Sequence, residues 1–376
     1  MEALLRYRRL MMLALAPALV LGTAACSVQF SPSGGSAPPS APASSSAPSA
    51  AGPSSAAPAS SRPAAPARPV ADASASGPDT LLTEPAQGFG PVYRLIGQAK
   101  TAIDLTMYEL SDPTAEKDLA AAAQRGAVVR VILDKREERS NSAAYSYLKA
   151  HRVQVTWSSP AYTYTHQKTL VINNATALIL TANLTSQYYS TTRDFGVTDS
   201  DPRDVAAIVA VFNADFAHRA VTPGHGDDLV WSPTSAQAQL LALISGARHS
   251  LRIYTEEMAD STVEDALIAA ARRGVTVQVV GENTDHEYDS DYAKLAAGGV
   301  QIRYYDSPSG FYIHGKVIEA DYGTPAARIF IGSENFSSTS LNDNRELGLI
   351  ITTPAVLASV ARTFAADFSH GIAWRG

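Results

Sequence analysis

Residues 95–109 read LIGQAKTAIDLTMYE, and residues 243–257 read LISGARHSLRIYTEE. The two stretches lie 148 positions apart. The same offset carries AAAQRG at 121–126 onto AAARRG at 269–274, and Tyr164-Thr165-His166-Gln167-Lys168 onto Tyr312-Ile313-His314-Gly315-Lys316. The second stretch then gains four residues, so that Asn183 answers to Asn335 and Asp194 to Glu346 at an offset of 152. Self-similarity held at a fixed offset over so long a run is the mark of internal duplication.

Each copy alternates in pattern. In the first, Ala102–Met107 is strand-like, and Ala115–Arg125 is an amphipathic helical run closed by Gly126. Val128–Leu133 is a continuous β-branched run of the kind a buried strand needs. Asn141–His151 is predicted helical, Val153–Thr156 extended, and Val205–His218 helical. Thr169–Ile172 and Ala177–Leu180 are predicted short strands joined by an Asn-rich turn. The expected fold class is α/β: two similar halves, each a mixed, largely parallel sheet flanked by helices. A pseudo-twofold axis is expected to relate the halves, with the active site between them.

The start of the chain has a different character. Arg6, Arg8 and Arg9 precede an apolar run from Leu10 to Gly22, and small residues lead into Cys26, which is the single cysteine. This reads as an export signal over residues 1–25. The apolar run is shorter than the roughly 20 residues that span a bilayer. Cys26 at the junction resembles the lipidated first residue of a mature bacterial lipoprotein. Residues 26–80 are Ser, Ala, Pro and Gly almost throughout, with 11 of the 22 prolines. Such a segment buries too little apolar surface to fold and serves as an extended tether. The two halves are then expected at 81–225 and 226–376, exported and either lipid-anchored at the cell surface or secreted.

Composition excludes some functions. One cysteine rules out an intrachain disulfide framework and any multi-cysteine metal site. The formal net charge is −6, although residues 1–25 are themselves positive. An acidic folded part argues against broad, non-specific nucleic-acid binding, which depends on Lys and Arg displacing counterions.

The repeated His-x-Lys carries the chemistry. In a strand, residues i and i+2 project to the same side, so His166 points with Lys168, and His314 with Lys316. About a pseudo-twofold axis, two imidazoles and two ammoniums converge, and Asn183 and Asn335 add amide donors. Lys and Asn supply fixed donors for phosphate oxygens as charge develops. One His can attack phosphorus while the other protonates the leaving oxygen and later activates water. Asp194 and Glu346 are placed to orient an imidazole, as the acid of a catalytic triad does. That chemistry needs no metal or other cofactor.

His314-Gly315-Lys316-Val317-Ile318-Glu319-Ala320-Asp321 is a complete HxKxxxxD motif, followed by Gly332-Ser333-Glu334-Asn335-Phe336-Ser337 and by Asn344-Arg345-Glu346. These residues resemble the phospholipase D superfamily. The first copy resembles the same motif with Asn173 in place of Asp and Asp194 in place of Glu. The resemblance implies two-step phosphodiester exchange through a phosphohistidine, with His166 as nucleophile and His314 as general acid and base. It also implies that Asn173 and Asp321 support the motif rather than attack.

Several features compete for a role. Glu109 and Glu257 match across the halves and stand where they could line the site. Asp285, His286, Glu287 and Asp289 could suggest a metal but have no matching acids in the first half. Tyr162, Tyr164, Tyr188, Tyr189, Tyr304, Tyr305, Phe311 and Tyr312 cluster near the motifs and suit a choline cation, a lipid interface or core packing. The leading expectation is hydrolysis of phospholipid headgroup diesters by a monomer, since one chain holds both half-sites. The alternatives are a phosphatidyl transferase of the cardiolipin synthase type, a metal-independent nuclease, and an inactive module that only binds phosphodiesters. Lys135, Arg136, Arg139, Arg272 and Arg273 would be a sparse basic groove for the nuclease.

Overall fold

The computed structural model describes residues 79–376. The expected export signal, the expected lipidation at Cys26, and all but the last two residues of the expected tether lie outside the described residues. In the first half the strands are β1 (Thr80–Glu84), β2 (Ala102–Met107), β3 (Val128–Leu133), β4 (Gln154–Trp157), β5 (Lys168–Ile172), β6 (Thr176–Leu180) and β7 (Thr192–Asp199). Its helices are α1 (Gly90–Gly97), α2 (Pro113–Gln124), α3 (Glu138–Ala150) and α4 (Pro202–Phe216). Strand β1 starts at Thr80, one residue inside the segment read as tether.

The second half repeats the series. Its strands are β8 (Leu229–Ser232), β9 (Ser250–Thr255), β10 (Met258–Ala259), β11 (Thr276–Glu282), β12 (Gln301–Tyr305), β13 (Tyr312–Ile313), β14 (Val317–Ala320), β15 (Arg328–Gly332), β16 (Phe336–Ser337), β17 (Glu346–Ile351) and β18 (Ile372–Ala373). Its helices are α5 (Ala236–Gly246), α6 (Ser261–Arg272), α7 (Asp289–Ala297), α8 (Ser338–Asn342) and α9 (Pro354–His370). Among the described residues no helix is long and apolar enough to cross a membrane.

The sheet orders are the same once the repeat is allowed for: β1-β7-β6-β5-β2-β3-β4 in one sheet, and β8-β17-β15-β14-β9-β11-β12 in the other. The sheets are mixed, but the expectation of a largely parallel arrangement is corrected. Within each run only the last two pairings are parallel, β2–β3–β4 and β9–β11–β12. The other pairings are antiparallel, because β5, β6 and β7 follow one another by short connections that cannot support a crossover.

Three apolar layers hold the unit. One lies between the first sheet and α1–α3, built on Leu105, Val131, Leu119 and Leu148. Its counterpart in the second half holds Ile253, Val279, Leu267 and Leu295. The third joins the halves: Phe195, Ile179 and Val197 of the first sheet meet Ile331, Leu347 and Trp231 of the second, with Ile208 of α4 and Phe364 of α9. Helices α2 and α6 start alike. Asp112 accepts from the backbone N–H of Thr114 and Ala115, and Asp260 from that of Thr262 and Val263, which caps each first turn.

The last residue of each HxKxxxx(D/N) motif sits at the far end of the strand from the Lys. Asp321 Oδ1 accepts from the N–H of His249 at 2.7 Å and Ser250 at 3.1 Å, and its carboxylate also receives Arg248 N–H. Asn173 Oδ1 accepts from Lys100 N–H and Thr101 N–H at 2.9 Å and from Thr101 Oγ1 at 3.1 Å. Both residues adopt a left-handed backbone, φ 54° and 56°, a region that Asn and Asp tolerate better than other side-chain residues. The amide oxygen of Asn173 therefore does the task of the carboxylate, pinning the turn that enters β2. Asn173→Ala is expected to lower unfolding stability by about 1–3 kcal/mol, and Asn173→Asp to change it little. Urea titration of both variants measures this.

Candidate functional site

The segments that precede the two His-x-Lys motifs each cross to the other half. Strand β13, just before His314, pairs in parallel with β7, Tyr312 opposite Thr192 and Ile313 opposite Arg193. His314 N–H then bonds Arg193 C=O at 3.1 Å. In mirrored fashion Thr165 bridges Arg345, and Gln167 N–H bonds Arg345 C=O at 3.1 Å. Each crossing segment is gripped from its own half. Asp134, after β3, takes Thr165 N–H at 2.6 Å, and Glu282, at the end of β11, takes Ile313 N–H at 3.0 Å.

This crossing decides which acid meets which imidazole. His166 Nδ1 lies 2.7 Å from Glu346 Oε2, and His314 Nδ1 lies 2.8 Å from Asp194 Oδ1. Each His is thus oriented by the carboxylate of the opposite half. Asp194, although shorter than Glu, reaches its ring fully. Both acids are fixed in turn. Thr181 Oγ1 donates to Asp194 at 2.6 Å, while Ser340 Oγ and Asn344 Nδ2 donate to Glu346 Oε1 at 2.6 and 3.0 Å.

The two lysines are placed alike. Lys168 Nζ donates to His166 C=O at 2.6 Å, and Lys316 Nζ to His314 C=O at 2.5 Å. Both lysines, both histidines, Asn183 and Asn335 are buried. Among the described residues Asn335 Oδ1 has no hydrogen-bond partner, and His314 Nε2 has the Glu256 carboxylate at 3.5 Å. The two histidines, the two lysines and the two orienting acids therefore come together, while Asn173 and Asp321 sit at the far strand ends.

Burial governs the charges. Removal from water pushes His166 down to about 4; Glu346 opposes this, and the two lysines add to it. Burial and then the Lys316 ammonium push Lys168 down to about 7. Burial alone would raise Asp194 and Glu346. His314 beside Asp194, and His166 beside Glu346, outweigh it together with the neighbouring lysines, and hold both acids below their ordinary value.

Several functional neighbours had a signal in the repeat that the motif reading passed over. Arg193 and Arg345 precede the two orienting acids at the same 152 offset, as Asp215 and Asp367 do in α4 and α9. Arg193 Nε bonds Asp367 at 2.7 Å, and Arg345 Nε lies 3.0 Å from Asp215. Strand alternation sends each Arg away from the site while its neighbour points in. Glu109 and Glu257 were expected to line the site. Glu109 is buried and Glu257 half-buried, but Glu257 bonds Ser337, and loss of solvent with the adjacent Glu256 pushes it up to about 7. The acid that touches the motif side chains is Glu256, whose Oε2 lies 2.7 Å from Lys316 Nζ and 3.5 Å from His314 Nε2.

The aromatic cluster is largely structural. Tyr189 stacks on Phe89 and donates to Asp112, Tyr162 holds the Arg345 guanidinium, and Tyr305 donates to Asp367 C=O. At residues 285–289, His286 pairs with Asp289 at 3.3 Å. Among the described residues no group of three or more His, Cys, Asp or Glu is arranged as metal ligands.

The crosswise pairing has a direct spectroscopic test. Glu346→Gln is expected to shift the Nδ1–H resonance of His166 and leave that of His314, and Asp194→Asn to do the reverse. Histidine ¹⁵N spectra of the two variants decide between crossed pairing and pairing within each half.

Comparison with known proteins agrees with this geometry. The family described as cardiolipin synthase, PLD-like domain, matches twice, over residues 92–218 and 240–368. None of the curated proteins matches significantly. Among solved structures, phosphatidylserine synthase of Haemophilus influenzae Rd KW20 is similar with a TM-score of 0.60 at 13% identity, over 78% of this chain and 86% of that one. Polyphosphate kinase of Porphyromonas gingivalis is similar with a TM-score of 0.64 at 17% identity, over 77% of this chain; the match spans about half of the kinase, 47%. Nuc of Salmonella typhimurium, a phospholipase D family member, aligns at 25% identity with a TM-score of 0.35, over 39% of this chain and 97% of that one. With both halves matched by one family and both built on the same strand order around paired His and Lys, the chain belongs to the phospholipase D-like family of cardiolipin synthase type.

Proposed function

We propose that this chain is a phospholipase D-type phosphodiesterase that cleaves the headgroup diester of phospholipids through a phosphohistidine. The observation that carries the reading is the reciprocal pair of histidines, each held at Nδ1 by a buried carboxylate of the other half. That contact fixes the ring and turns Nε2 toward the chemistry.

His166 is the nucleophile. Its low proton affinity keeps it a free base at neutral pH. Nε2 of His166 forms the bond to phosphorus as the phosphorus–oxygen bond to the headgroup breaks, and His314 Nε2 gives its proton to the departing oxygen. In the second step His314 takes a proton from water or an alcohol, whose oxygen displaces His166 from phosphorus. Lys168, Lys316, Asn183 and Asn335 hold the non-bridging oxygens as their charge grows.

The reading includes location. The export signal read at residues 1–25, lipidation at Cys26 and the Ser/Ala/Pro-rich segment after it support a place outside the cytoplasm, beside membrane lipid. A nuclease reading draws little support. Lys135 is engaged by Glu138 and the Trp157 ring, and Arg273 by the C=O groups of Ile244 and Ser245. Hydrolysis and transfer to an alcohol share every step but the acceptor.

Phosphatidylcholine vesicles with ethanol and EDTA are expected to yield phosphatidic acid and phosphatidylethanol. Unchanged lipid alongside cleavage of plasmid DNA would sink the proposal. His166→Ala is expected to abolish turnover, and His314→Ala to slow it by at least about 100-fold. The pH profile has a defined sign. Lys168 must be an ammonium to hold phosphate, and that form is lost as pH rises through about 7. The free-enzyme kcat/KM is therefore expected to fall above about 7. Lys168→Arg, which stays charged, is expected to remove that alkaline limb.

A further inference from the structure

Beyond the exchange of Asp194 for Glu346, the halves differ at a second position against the catalytic groups. Where the first repeat has Tyr108, the second has Glu256. Tyr108 sets its ring edge-on to His166, with centroids 4.6 Å apart, and Lys168 Nζ stands 4.8 Å over the same ring. Glu256 brings a carboxylate instead. Besides its contacts to Lys316 and His314, its Oε1 accepts from the Tyr312 hydroxyl at 2.9 Å. The side chain is buried, and although burial would raise it, His314 and Lys316 hold it well below the ordinary carboxylate range. Both neighbours favour its charged form.

A fixed anionic oxygen 3.5 Å from His314 Nε2 constrains what else stands there. On the reading above, which this inference takes as its starting point, the headgroup oxygen comes within about 3 Å of Nε2 to take its proton. The rest of that alcohol then lies against Glu256. The incoming acceptor occupies the same place in the second step, since it reverses the first. A carboxylate only accepts hydrogen bonds. Facing hydrocarbon or another acceptor it is left short of a donor, and facing a donor it forms a charge-assisted bond.

We propose that Glu256, braced by Tyr312 and Lys316, is the floor of a headgroup subsite that selects alcohols carrying a second hydrogen-bond donor beside the reacting oxygen. Polyols and amino alcohols meet that condition. Simple alcohols do not, and neither does the 5′-oxygen of a deoxynucleoside, whose nearest polar neighbour is the ring ether oxygen, an acceptor.

The test uses the full chain and phosphatidylglycerol vesicles with equal concentrations of 1-propanol and 1,2-propanediol. A parallel arm replaces the diol with ethanolamine. The wild-type protein is expected to form the diol and ethanolamine lipids at least about tenfold faster than phosphatidylpropanol. Glu256→Gln is expected to bring that ratio down several-fold. The ratio is read within one reaction, so a slower variant still reports it. If Glu256→Gln is inactive, Tyr312→Phe, which releases Oε1 without removing charge, is expected to lower the ratio in the same direction. If only water is accepted, the ratio is read from hydrolysis of phosphatidylpropanediol against phosphatidylpropanol. A wild-type ratio near one, or a variant that keeps the wild-type ratio, overturns this inference alone. No lipid turnover in any arm overturns the phospholipid reading, and this inference with it.

Discussion

The hydrogen bond from the imidazole of each motif to a carboxylate of the other half is the constraint around which the molecule is built. For His166 to meet Glu346, and His314 to meet Asp194, the segment before each His must lie beside the strand that carries the opposite acid. That requires the two sheets to face each other. The face between them is accordingly apolar, with Phe195, Trp231, Ile331 and Leu347 buried together. The Arg193–Asp367 and Arg345–Asp215 contacts tie the same two strands to α9 and α4. The core, the strand crossings and the buried ion pairs therefore all serve one placement.

Burying so many charges demands compensation within the site. A lone buried ion is strongly unfavourable, and a buried pair is tolerated only where further hydrogen bonds complete it. Here Thr181 completes Asp194, and Ser340 with Asn344 completes Glu346. Burial also sets the chemistry, since it is the largest influence on both His166 and Lys168. The same desolvation strengthens each ion pair and hydrogen bond inside the site, that of Lys316 with Glu256 among them.

Much of this was legible in the sequence, for physical reasons. A β-branched run marked β3, and the repeat matched Asn183 to Asn335, but strand period was the wrong ground for putting His166 with Lys168, because His166 precedes β5 and His314 and Lys316 lie between β13 and β14. The partner of each imidazole was not legible, because a repeat reports equivalence and not contact: Asp194 is as consistent with His166 as with His314. The predominance of antiparallel pairing was missed where short turns, rather than helices, link β5, β6 and β7. Glu256 was missed because a search for matched positions finds what the copies share, and Tyr108 and Glu256 are where they part. Its neighbour Glu257, which does match Glu109, drew the attention instead.

The crossed arrangement also bears on how such a molecule can diverge. A single half that paired with its twin about a true twofold axis would satisfy both imidazoles, but the two would remain identical, since any substitution would appear on both sides at once. Covalent fusion of two copies lifts that restriction. Tyr108 and Glu256 can then occupy equivalent places with opposite character, one presenting a ring face to Lys168 and the other a carboxylate to Lys316. Asymmetry between the histidines is thus heritable only in the fused chain. The fusion, more than either motif alone, is what lets one imidazole specialise without changing the other.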